Sequence, residues 1–379
     1  MRVYIDITEL VGNPVRTGVQ RVVRETLRHW PAGDDLVMCR YDPNLDALVR
    51  VPPEARALLL DEDADLAHAS VDVVRTRLSK MFQASVPEPV PQTGVRILIP
   101  EVFFDERRCR FYLRKLAAEP DSVMMCFYDF IPWLRPDDIG VERAASLMPY
   151  IRVAQHTRHA AFISAETGED WRLRILRKPE ASGVVVPLGS DGLGLERQRF
   201  AKSKQAYVCL GSIDGRKNQH LVVRAFRQLW SEGSKARLIV VGHAFDSAGE
   251  IAREVLAARD EPLFDYVEQA SDEAVKGILR KARATIYASV VEGFGLPPVE
   301  SLAAGIPVIA TSKVPSVVGL HGRGAILIDS PQPDAIVAAV RALSDDAFAR
   351  QTWDAAAQLR LPTWRGFGQA MNDWVRRVA

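Results

Sequence analysis

The sequence predicts an α/β protein that contains two Rossmann-like, doubly wound domains. Short apolar runs rich in Val and Ile alternate with longer helical patterns, which is the rhythm of strand–helix units around a parallel sheet. The apolar runs do not alternate strictly with polar residues, as expected of strands that are covered on both faces. The 379 residues, 47% of them hydrophobic, are enough for two cores of ordinary size.

Each half of the chain contributes one set of predicted strands. In the first half they cover residues 3–7, 36–40, 95–99, 123–127, 161–163 and 184–186. In the second half they cover residues 206–210, 237–241, 285–288, 307–310 and 325–328. Helices with an apolar stripe are predicted between them, for example at 20–30, at 334–343 and directly after Lys217.

A break in this rhythm predicts the domain boundary. Glycines and charged residues interrupt the pattern between Pro187 and Gln205, which indicates a linker. The predicted organisation is an N-terminal domain at 1–190, a linker at 191–205, a C-terminal domain at 206–360 and a helix at 361–379 that closes back toward the N-terminal domain. The Pro- and Asp-rich region 45–92 is predicted to be a helical insertion with loops.

Composition and charge exclude several classes of protein. The formal net charge of +1 is too balanced for binding nucleic acid through bulk charge, so no nucleic-acid partner is expected. The four cysteines form no CxxC pair, which indicates reduced thiols and no structural zinc. The N-terminus MRVYIDITEL lacks a basic leader before an apolar run, and no run of about 18 apolar residues occurs, so a cytoplasmic protein is expected.

The segment VVEGFGLPPVESLAAGIPV (290–308) predicts a site for a ligand that carries both phosphate and vicinal hydroxyls. A strand is followed by a glycine-rich bend, and a pair of prolines suits the first turn of the next helix. Free N–H groups at the start of that helix favour an anion. Glu292 and Glu300 flank the bend, where their carboxylates can accept hydrogen bonds from hydroxyl groups. A nucleotide sugar is such a ligand.

These residues also carry a family resemblance. The segment VEGFGLPPVESLAAGIPVIAT resembles the E-x7-E signature of retaining glycosyltransferases of family 4, which have the GT-B fold, with two Rossmann-like domains facing a central cleft. Upstream, LGSIDGRKNQHLVVRAF and SDEAVKGILRKARATIYAS resemble further segments of that family. The likeness is strong from Tyr207 to Asp329 and weaker at TGVQRVVRETL and MMCFYDFIPWLRPD.

The resemblance implies a role for each residue of the donor site. Glu300 would hold the ribose hydroxyls of the donor nucleotide, and Arg216 and Lys217 would neutralise its diphosphate. The transferred sugar and the distal phosphate would be held by Glu292 and by the backbone of Gly293, Phe294, Gly295 and Leu296. Charge alone supports the role of the two cations, because departure of a nucleoside diphosphate leaves extra negative charge on the leaving oxygen. Two cations and a helix terminus can stabilise that charge without a metal.

The chain departs from the family pattern at two loops. Ser212 stands where many relatives carry an Arg directly after the glycine of the first loop, and Arg216 is expected to take over that charge. The loop SKVPSVVGLHGRG has no acid where many relatives carry a glutamate, and Lys313 is a candidate to contribute there instead.

The first half is expected to supply the acceptor side and part of the reactive face. Resemblance to a family glycine loop implies that Gly18 faces the donor phosphates, with Arg21 nearby; an ordinary glycine turn is the alternative. Tyr128 and Asp129 end a strand where relatives often have His-Asp, which implies contact with the sugar or the acceptor and a catalytic role for Asp129. Capping of the following turn by Asp129 is an equal alternative.

The sequence contains few signals for the identity of the acceptor. The helix ERRCRFYLRKL (106–116) mixes five cations with aromatic residues, so it fits either an anionic lipid surface or an ordinary solvated basic face. A peripheral contact on the inner face of the membrane, with a lipid-linked saccharide as acceptor, follows from the first alternative. A saccharide acceptor without lipid remains open.

No metal and no cofactor are expected. Asp61, Asp63 and Asp65 follow an apolar run, which is how metal-dependent glycosyltransferases of another fold hold a diphosphate. Here they lie in the irregular insertion and are predicted to be a solvated acidic loop. His156 and His159 have no carboxylate–histidine set with metal spacing around them.

The sequence therefore favours a retaining, metal-independent hexosyltransferase. It would move a sugar from a nucleoside-diphosphate sugar to a saccharide or lipid-linked saccharide in surface polysaccharide synthesis, while closure of the domains excludes water. A GDP-mannose-like donor is favoured because the RKN variant resembles mannosyl- and rhamnosyltransferases. The resemblance implies front-face substitution, in which the acceptor hydroxyl gives its proton to the departing phosphate, and a two-step route through Glu292 is the less favoured alternative. The alternatives are a non-catalytic sugar-nucleotide-binding protein and a GT-B epimerase or hydrolase.

Overall fold

The computed structural model describes residues 2–15, 17–32, 36–60, 71–244 and 249–378. The acidic residues Asp61, Asp63 and Asp65 lie outside the described residues. The chain divides into two compact units, one made of Met1–Leu188 with Trp364–Ala379 and the other of Gly189–Thr363.

The first unit contains a seven-stranded sheet. Its strands are β1 (Val3–Asp6), β2 (Leu36–Asp42), β3 (Ala47–Arg50), β4 (Arg96–Ile99), β5 (Val123–Phe127), β6 (His159–Phe162) and β7 (Val184–Val185). The strand order is β3-β2-β1-β4-β5-β6-β7, and every pair is parallel except β2 with β3. The parallel strands β1, β4 and β5 are almost wholly buried, which explains their continuous apolar sequences.

The helices of the first unit connect these strands. They are α1 (Thr8–Gly12), α2 (Gly18–His29), α3 (Pro53–Leu60), α4 (Val71–Ala84), α5 (Glu106–Ala118), α6 (Ile131–Leu134), α7 (Pro136–Ile139), α8 (Val141–Ser146), α9 (Met148–His156) and α10 (Ala165–Asp170). A π-helical turn, Trp171–Ile175, continues α10. Region 45–92 was predicted to be helices and loops, but it also supplies β3, which pairs antiparallel with β2 after the turn that contains Asp46.

The second unit contains a six-stranded, wholly parallel sheet in the order β10-β9-β8-β11-β12-β13. Its strands are β8 (Ala206–Leu210), β9 (Arg237–Val241), β10 (Phe264–Val267), β11 (Ala282–Tyr287), β12 (Val308–Thr311) and β13 (Ala325–Ile328). Its helices are α11 (Gln219–Ser231), α12 (Gly249–Leu256), α13 (Asp272–Leu279), α14 (Leu296–Ala303), α15 (Pro333–Ser344) and α16 (Asp346–Ala357). The apolar stripe predicted after Lys217 is the buried face of α11.

The predicted linker and the last helix each pack on one of the two units. Residues 191–205, predicted as a linker, pack on the second unit, where Gln198 N donates to Ala304 O at 2.8 Å and the ring of Phe200 lies against Trp353. The last helix, α17 (Trp364–Arg377), belongs to the first unit and packs on α2, so closely that a Cβ at Gly368 would overlap the carbonyl oxygen of His29.

Both sheets reverse their strand order beside their first strand. The reversal lies between β1 and β4 in the first unit and between β8 and β11 in the second. Open parallel sheets bind their ligands outside the carboxyl ends of the strands at such switch points. The loops that follow these four strands are therefore where each unit should carry its functional residues.

Candidate functional site

The predicted donor residues of the second unit gather at its switch point. After β8 the chain passes through Gly211 and Ser212 into a short 3-10 turn, Gly215–Lys217, and then into α11. After β11 it runs through residues 288–295 into α14. Because β8 and β11 are neighbours in the sheet, two segments far apart in sequence meet at one edge.

Lys217 provides a half-buried cation at this edge. Its Nζ lies 3.3 Å from the hydroxyl of Ser212, and a Cβ added to Gly211 would lie 2.9 Å from it. Burial lowers the pKa of the Lys217 ammonium, which the charge of Glu292 partly opposes. Within the described part of the chain, no carboxylate forms an ion pair with Lys217. An ammonium that is partly removed from water and has one hydroxyl partner favours the arrival of an anion.

Both carboxylate oxygens of Glu292 accept hydrogen bonds. Arg216 Nη1 donates to Oε2 at 2.8 Å, and the hydroxyl of Ser289 donates to Oε1 at 2.9 Å. Arg216 also contacts Asp214, 3.4 Å from Nη2 to Oδ2. Direct contact between Arg216 and a diphosphate, as predicted from the sequence, would have to compete with these two carboxylates.

The glycine-rich bend before α14 is shaped by tight packing. Gly295 has a φ of 91°, and a Cβ there would lie 2.6 Å from Val314 Cγ1. The loop after β12 braces the bend, since Ser316 N donates to Phe294 O at 2.9 Å and Ser316 Oγ donates to Gly295 O at 2.7 Å. Phe294 turns its side chain into the protein, so the bend offers backbone to a ligand. Lys313, proposed from the sequence for this loop, is exposed.

The start of α14 offers fewer donors than an ordinary helix. Among its first four residues, Pro297 and Pro298 have no N–H, so only Leu296 and Val299 can donate. Together with Gly293 and Gly295 in the preceding bend, they form a compact set of backbone donors at the positive end of a helix.

Glu300 lies one turn into α14 and is 6% exposed. Its carboxylate lies close enough to the Tyr287 hydroxyl to affect that group. Burial is the largest cause that raises the pKa of Tyr287, and the charges of Glu300 and Glu292 add to it. The two glutamates of the predicted pair therefore lie near the same buried tyrosine at the end of β11.

The predicted residues of the first unit occupy its own carboxyl edge. Gly18 is the exposed first residue of α2, and a Cβ there would meet no atom within 4 Å. Arg21, one turn further along, is half-buried. Asp129 accepts from Ile131 N at 3.0 Å, which is the capping interaction considered as an alternative. Tyr128 is buried and its hydroxyl donates to Pro100 O at 2.6 Å, so little of its surface is left for a ligand.

A buried charged cluster at the switch point of the first unit was not predicted. Asp6, at the end of β1, accepts from Arg108 Nε at 2.9 Å and from the Tyr112 hydroxyl. Glu101, after β4, lies 3.4 Å from Arg108 and accepts from the backbone N–H groups of Glu9 and Leu10 at 2.8 and 2.7 Å. Burial raises the pKa of Glu101 to about 8, against the pull of Arg108.

This cluster changes the interpretation of the basic helix α5. Arg108 is fully buried, and Lys115 is buried against Gln92 O and Glu119. The exposed cations are Arg107, Arg110 and Arg114, and Arg114 pairs with Asp46. A membrane contact through α5 stays a prediction that would rest on this smaller set.

Three supporting residues were missed by sequence reasoning. Ser289 and Ser316 hold Glu292 and the glycine bend, and Asn218 donates from Nδ2 to Ala288 O at 2.9 Å. Ser316 and Asn218 act on distant loops, so no local pattern marks them, whereas Ser289 lies three residues before Glu292 in the same loop. Among the described residues, no cluster of His, Cys, Asp and Glu could hold a metal ion, and no helix is long and apolar enough to span a membrane.

Sheet order, switch points and the placement of the site define a protein with the GT-B fold, made of two Rossmann-like α/β units with parallel sheets. Residues 195–360 match the family described as glycosyl transferases group 1. The solved structure of Anabaena HepE in complex with UDP-glucose is similar over the whole of both chains, with a TM-score of 0.64 and 13% sequence identity.

Two curated relatives are similar in sequence. The serotype-specific mannosyltransferase WbdA of Escherichia coli is 27% identical over 345 residues, which cover 81% of this chain and 38% of WbdA. The MMP α-(1→4)-mannosyltransferase of Mycolicibacterium hassiacum is 36% identical over 198 residues, 51% of this chain and 47% of that protein. The chain thus matches less than half of the length of either relative.

Proposed function

We propose that this protein is a retaining mannosyltransferase that transfers mannose from GDP-mannose to a saccharide or lipid-linked saccharide acceptor in surface polysaccharide synthesis. The observation that carries the proposal is the edge at β8 and β11. A half-buried Lys217 without a carboxylate partner among the described residues shares this edge with the N–H groups at the start of α14 and with two glutamates. Cation and N–H groups suit a diphosphate, and the glutamates suit hydroxyls.

The choice of mannose rests on the relatives. WbdA and the MMP enzyme are both named as mannosyltransferases, and a further relative is named O-antigen chain mannosyltransferase RfbU, of Salmonella typhimurium. The preference for GDP rests on the RKN sequence at Arg216–Asn218. HepE, which has been solved with UDP-glucose, makes UDP-linked sugars the necessary comparison.

In the proposed reaction, the acceptor oxygen forms a bond to the anomeric carbon while the bond from that carbon to the phosphate oxygen breaks. The acceptor proton passes to the departing phosphate on the same face, which retains the anomeric configuration. Lys217 and the N–H groups at the start of α14 stabilise the charge that develops on the leaving diphosphate. Glu292 holds the sugar hydroxyls and Glu300 the ribose hydroxyls. No metal is required, because cation and helix dipole act on the same phosphates.

The test is to measure binding of GDP-mannose, GDP and UDP-glucose by calorimetry, and then transfer to mannose-containing lipid-linked saccharides with and without a chelator. We expect GDP-mannose to bind, Lys217→Ala to slow transfer, and NMR of the product to show the α-anomer. Binding of UDP-glucose in preference to GDP-mannose would overturn the assigned donor. Release of free mannose without transfer to any acceptor would instead support a hydrolase.

A further inference from the structure

Several hydrogen bonds connect the loop after β8 with the loop after β11. Val290 N donates to Arg216 O at 2.8 Å, and Arg216 Nη1 reaches back to Val291 O at 3.3 Å and to Glu292 Oε2 at 2.8 Å. Asn218, in the left-handed conformation with a φ of 54°, adds its side-chain bond to Ala288 O. Arg216 therefore lies at the centre of a connection that spans the switch point between β8 and β11.

The position of Glu292 depends on this connection. Its side chain is 19% exposed, and its two carboxylate oxygens accept hydrogen bonds from Arg216 and Ser289. A carboxylate fixed in this way offers a preorganised acceptor for sugar hydroxyls. A free glutamate side chain would lose rotamer entropy on binding the same hydroxyls.

Arg216 and Lys217 have different partners, which indicates different roles for the two cations. Arg216 contacts Asp214 and Glu292, so its positive charge is already balanced by two carboxylates in the protein. Lys217 contacts the Ser212 hydroxyl, and its charge is balanced by no ion pair within the described ranges. A diphosphate should be stabilised more by contact with Lys217, because contact with Arg216 would break charge-assisted hydrogen bonds within the protein.

We propose that Arg216 is a positioning residue of the donor site, which fixes Glu292 for the transferred sugar, and that Lys217 is the cation of this pair that contacts the diphosphate. The proposal rests on the proposed function. It assigns the sugar half of the donor to Arg216 through Glu292 and the phosphate half to Lys217. A nucleoside diphosphate without a sugar should then distinguish the two cations.

The experiment compares affinities for GDP and GDP-mannose in Arg216→Gln, Lys217→Gln, Glu292→Ala and the double variant Arg216→Gln/Glu292→Ala. Arg224→Gln is the control, because Arg224 is an exposed arginine on α11 that pairs with Glu254. We expect Arg216→Gln to leave GDP affinity within about 3-fold and to weaken GDP-mannose about 10-fold, the loss typical of one charge-assisted hydrogen bond. Lys217→Gln should weaken both ligands by 10-fold or more.

The double variant gives the sharpest result. If Arg216 acts through Glu292, the double variant binds GDP-mannose no more weakly than Glu292→Ala alone. The positioning role would be overturned if the double variant lost GDP-mannose affinity by the product of the two single losses. It would also be overturned if Arg216→Gln lost as much GDP affinity as Lys217→Gln. Either result would leave the proposed function intact. Failure of the unchanged protein to bind GDP or GDP-mannose would overturn the proposed donor and, with it, this assignment. Partial recovery of GDP-mannose affinity in Arg216→Lys would support the role, since a lysine keeps the charge but not the planar fork.

Discussion

The backbone of Gly242 passes so close to Gly211 that a Cβ at Gly242 would overlap the carbonyl oxygen of Gly211 and lie 2.5 Å from its carbonyl carbon. Gly242 follows β9 and Gly211 follows β8, and Gly211 N donates to Val241 O at 2.9 Å. A Cβ at Gly211 would in turn lie 2.9 Å from Lys217 Nζ. The end of β9 therefore supports the loop that carries Lys217, although no residue of β9 was assigned to the site.

Gly242→Ala should damage both stability and nucleotide binding. The new methyl group would push the Gly211 carbonyl away, and the φ of 145° at Gly242 is strained for any residue with a side chain. We expect a loss of about 1–3 kcal/mol in the free energy of unfolding, as for other overpacked sites, and weaker GDP-mannose binding by calorimetry. The control is Gly277→Ala on α13, where a Cβ meets no atom within 4 Å and helix propensity should improve. Equal behaviour of the two variants would contradict the close contact.

Glu300 and Lys217 should affect different kinetic constants. Glu300→Gln keeps the packing of a buried side chain but removes the charge of the acceptor proposed for the ribose hydroxyls, so we expect about 10-fold weaker donor binding with little change in kcat. Lys217→Ala should lower kcat as well, because charge on the leaving diphosphate is greatest in the transition state. Steady-state kinetics with varied GDP-mannose measure both effects, with the exposed Lys281→Ala as control. Unchanged donor affinity in Glu300→Gln would remove the ribose assignment.

The residues that meet at the edge of β8 and β11 could be selected from the sequence because most of them are adjacent in the chain, and their donor-binding roles stay predictions. Glu292 to Leu296 form one bend, and the motif around Arg216 follows a strand that the apolar pattern identifies. The residues that hold this bend from outside, such as Ser316, contact it only after β12 is in place, so the sequence gives no local signal for them.

The missed elements have physical reasons of their own. β3 and β10 are edge strands of four residues, and β10 is half-exposed, so neither forms a long apolar run. Arg108 was grouped with the exposed arginines of α5, yet it lies on the same buried face as Tyr112. One signal was available, because β1 ends in Asp6, and a buried acid at a strand end requires a cation or several donors.

Gly18→Ala distinguishes the two interpretations of Gly18, a backbone contact with the donor phosphates and an ordinary glycine turn. Open space surrounds the Cβ position and Gly18 begins α2, so the thermal midpoint should stay unchanged or rise slightly. If phosphates approach this backbone as predicted, transfer should fall about 10-fold, which corresponds to about 1.4 kcal/mol in transition-state stabilisation. Gly12→Ala is the matched control, since Gly12 is also exposed with open space at its Cβ. Full transfer activity in Gly18→Ala would favour the ordinary glycine turn.

Glu101 should make the stability of the protein depend on pH. Its pKa is about 8 in the folded protein, because of burial, and about 4.3 in an unfolded chain. Between these values the folded state holds a proton that the unfolded state has lost. The free energy of unfolding should therefore fall as pH rises from about 5 to about 8, by at most about 1.4 kcal/mol per pH unit from this group.

Glu101→Gln removes this titration and should flatten the pH dependence of the thermal midpoint between about pH 5 and pH 8. The variant should also be less stable at pH 5 by about 1–3 kcal/mol, because its NH₂ group must face one of the two N–H donors, Glu9 N or Leu10 N. Glu180→Gln, at an exposed position of the same unit, controls for the loss of one surface carboxyl. A difference between Glu101→Gln and the unchanged protein that stays constant across this range would show that Glu101 is ionised throughout, with Arg108 and the two N–H donors outweighing burial.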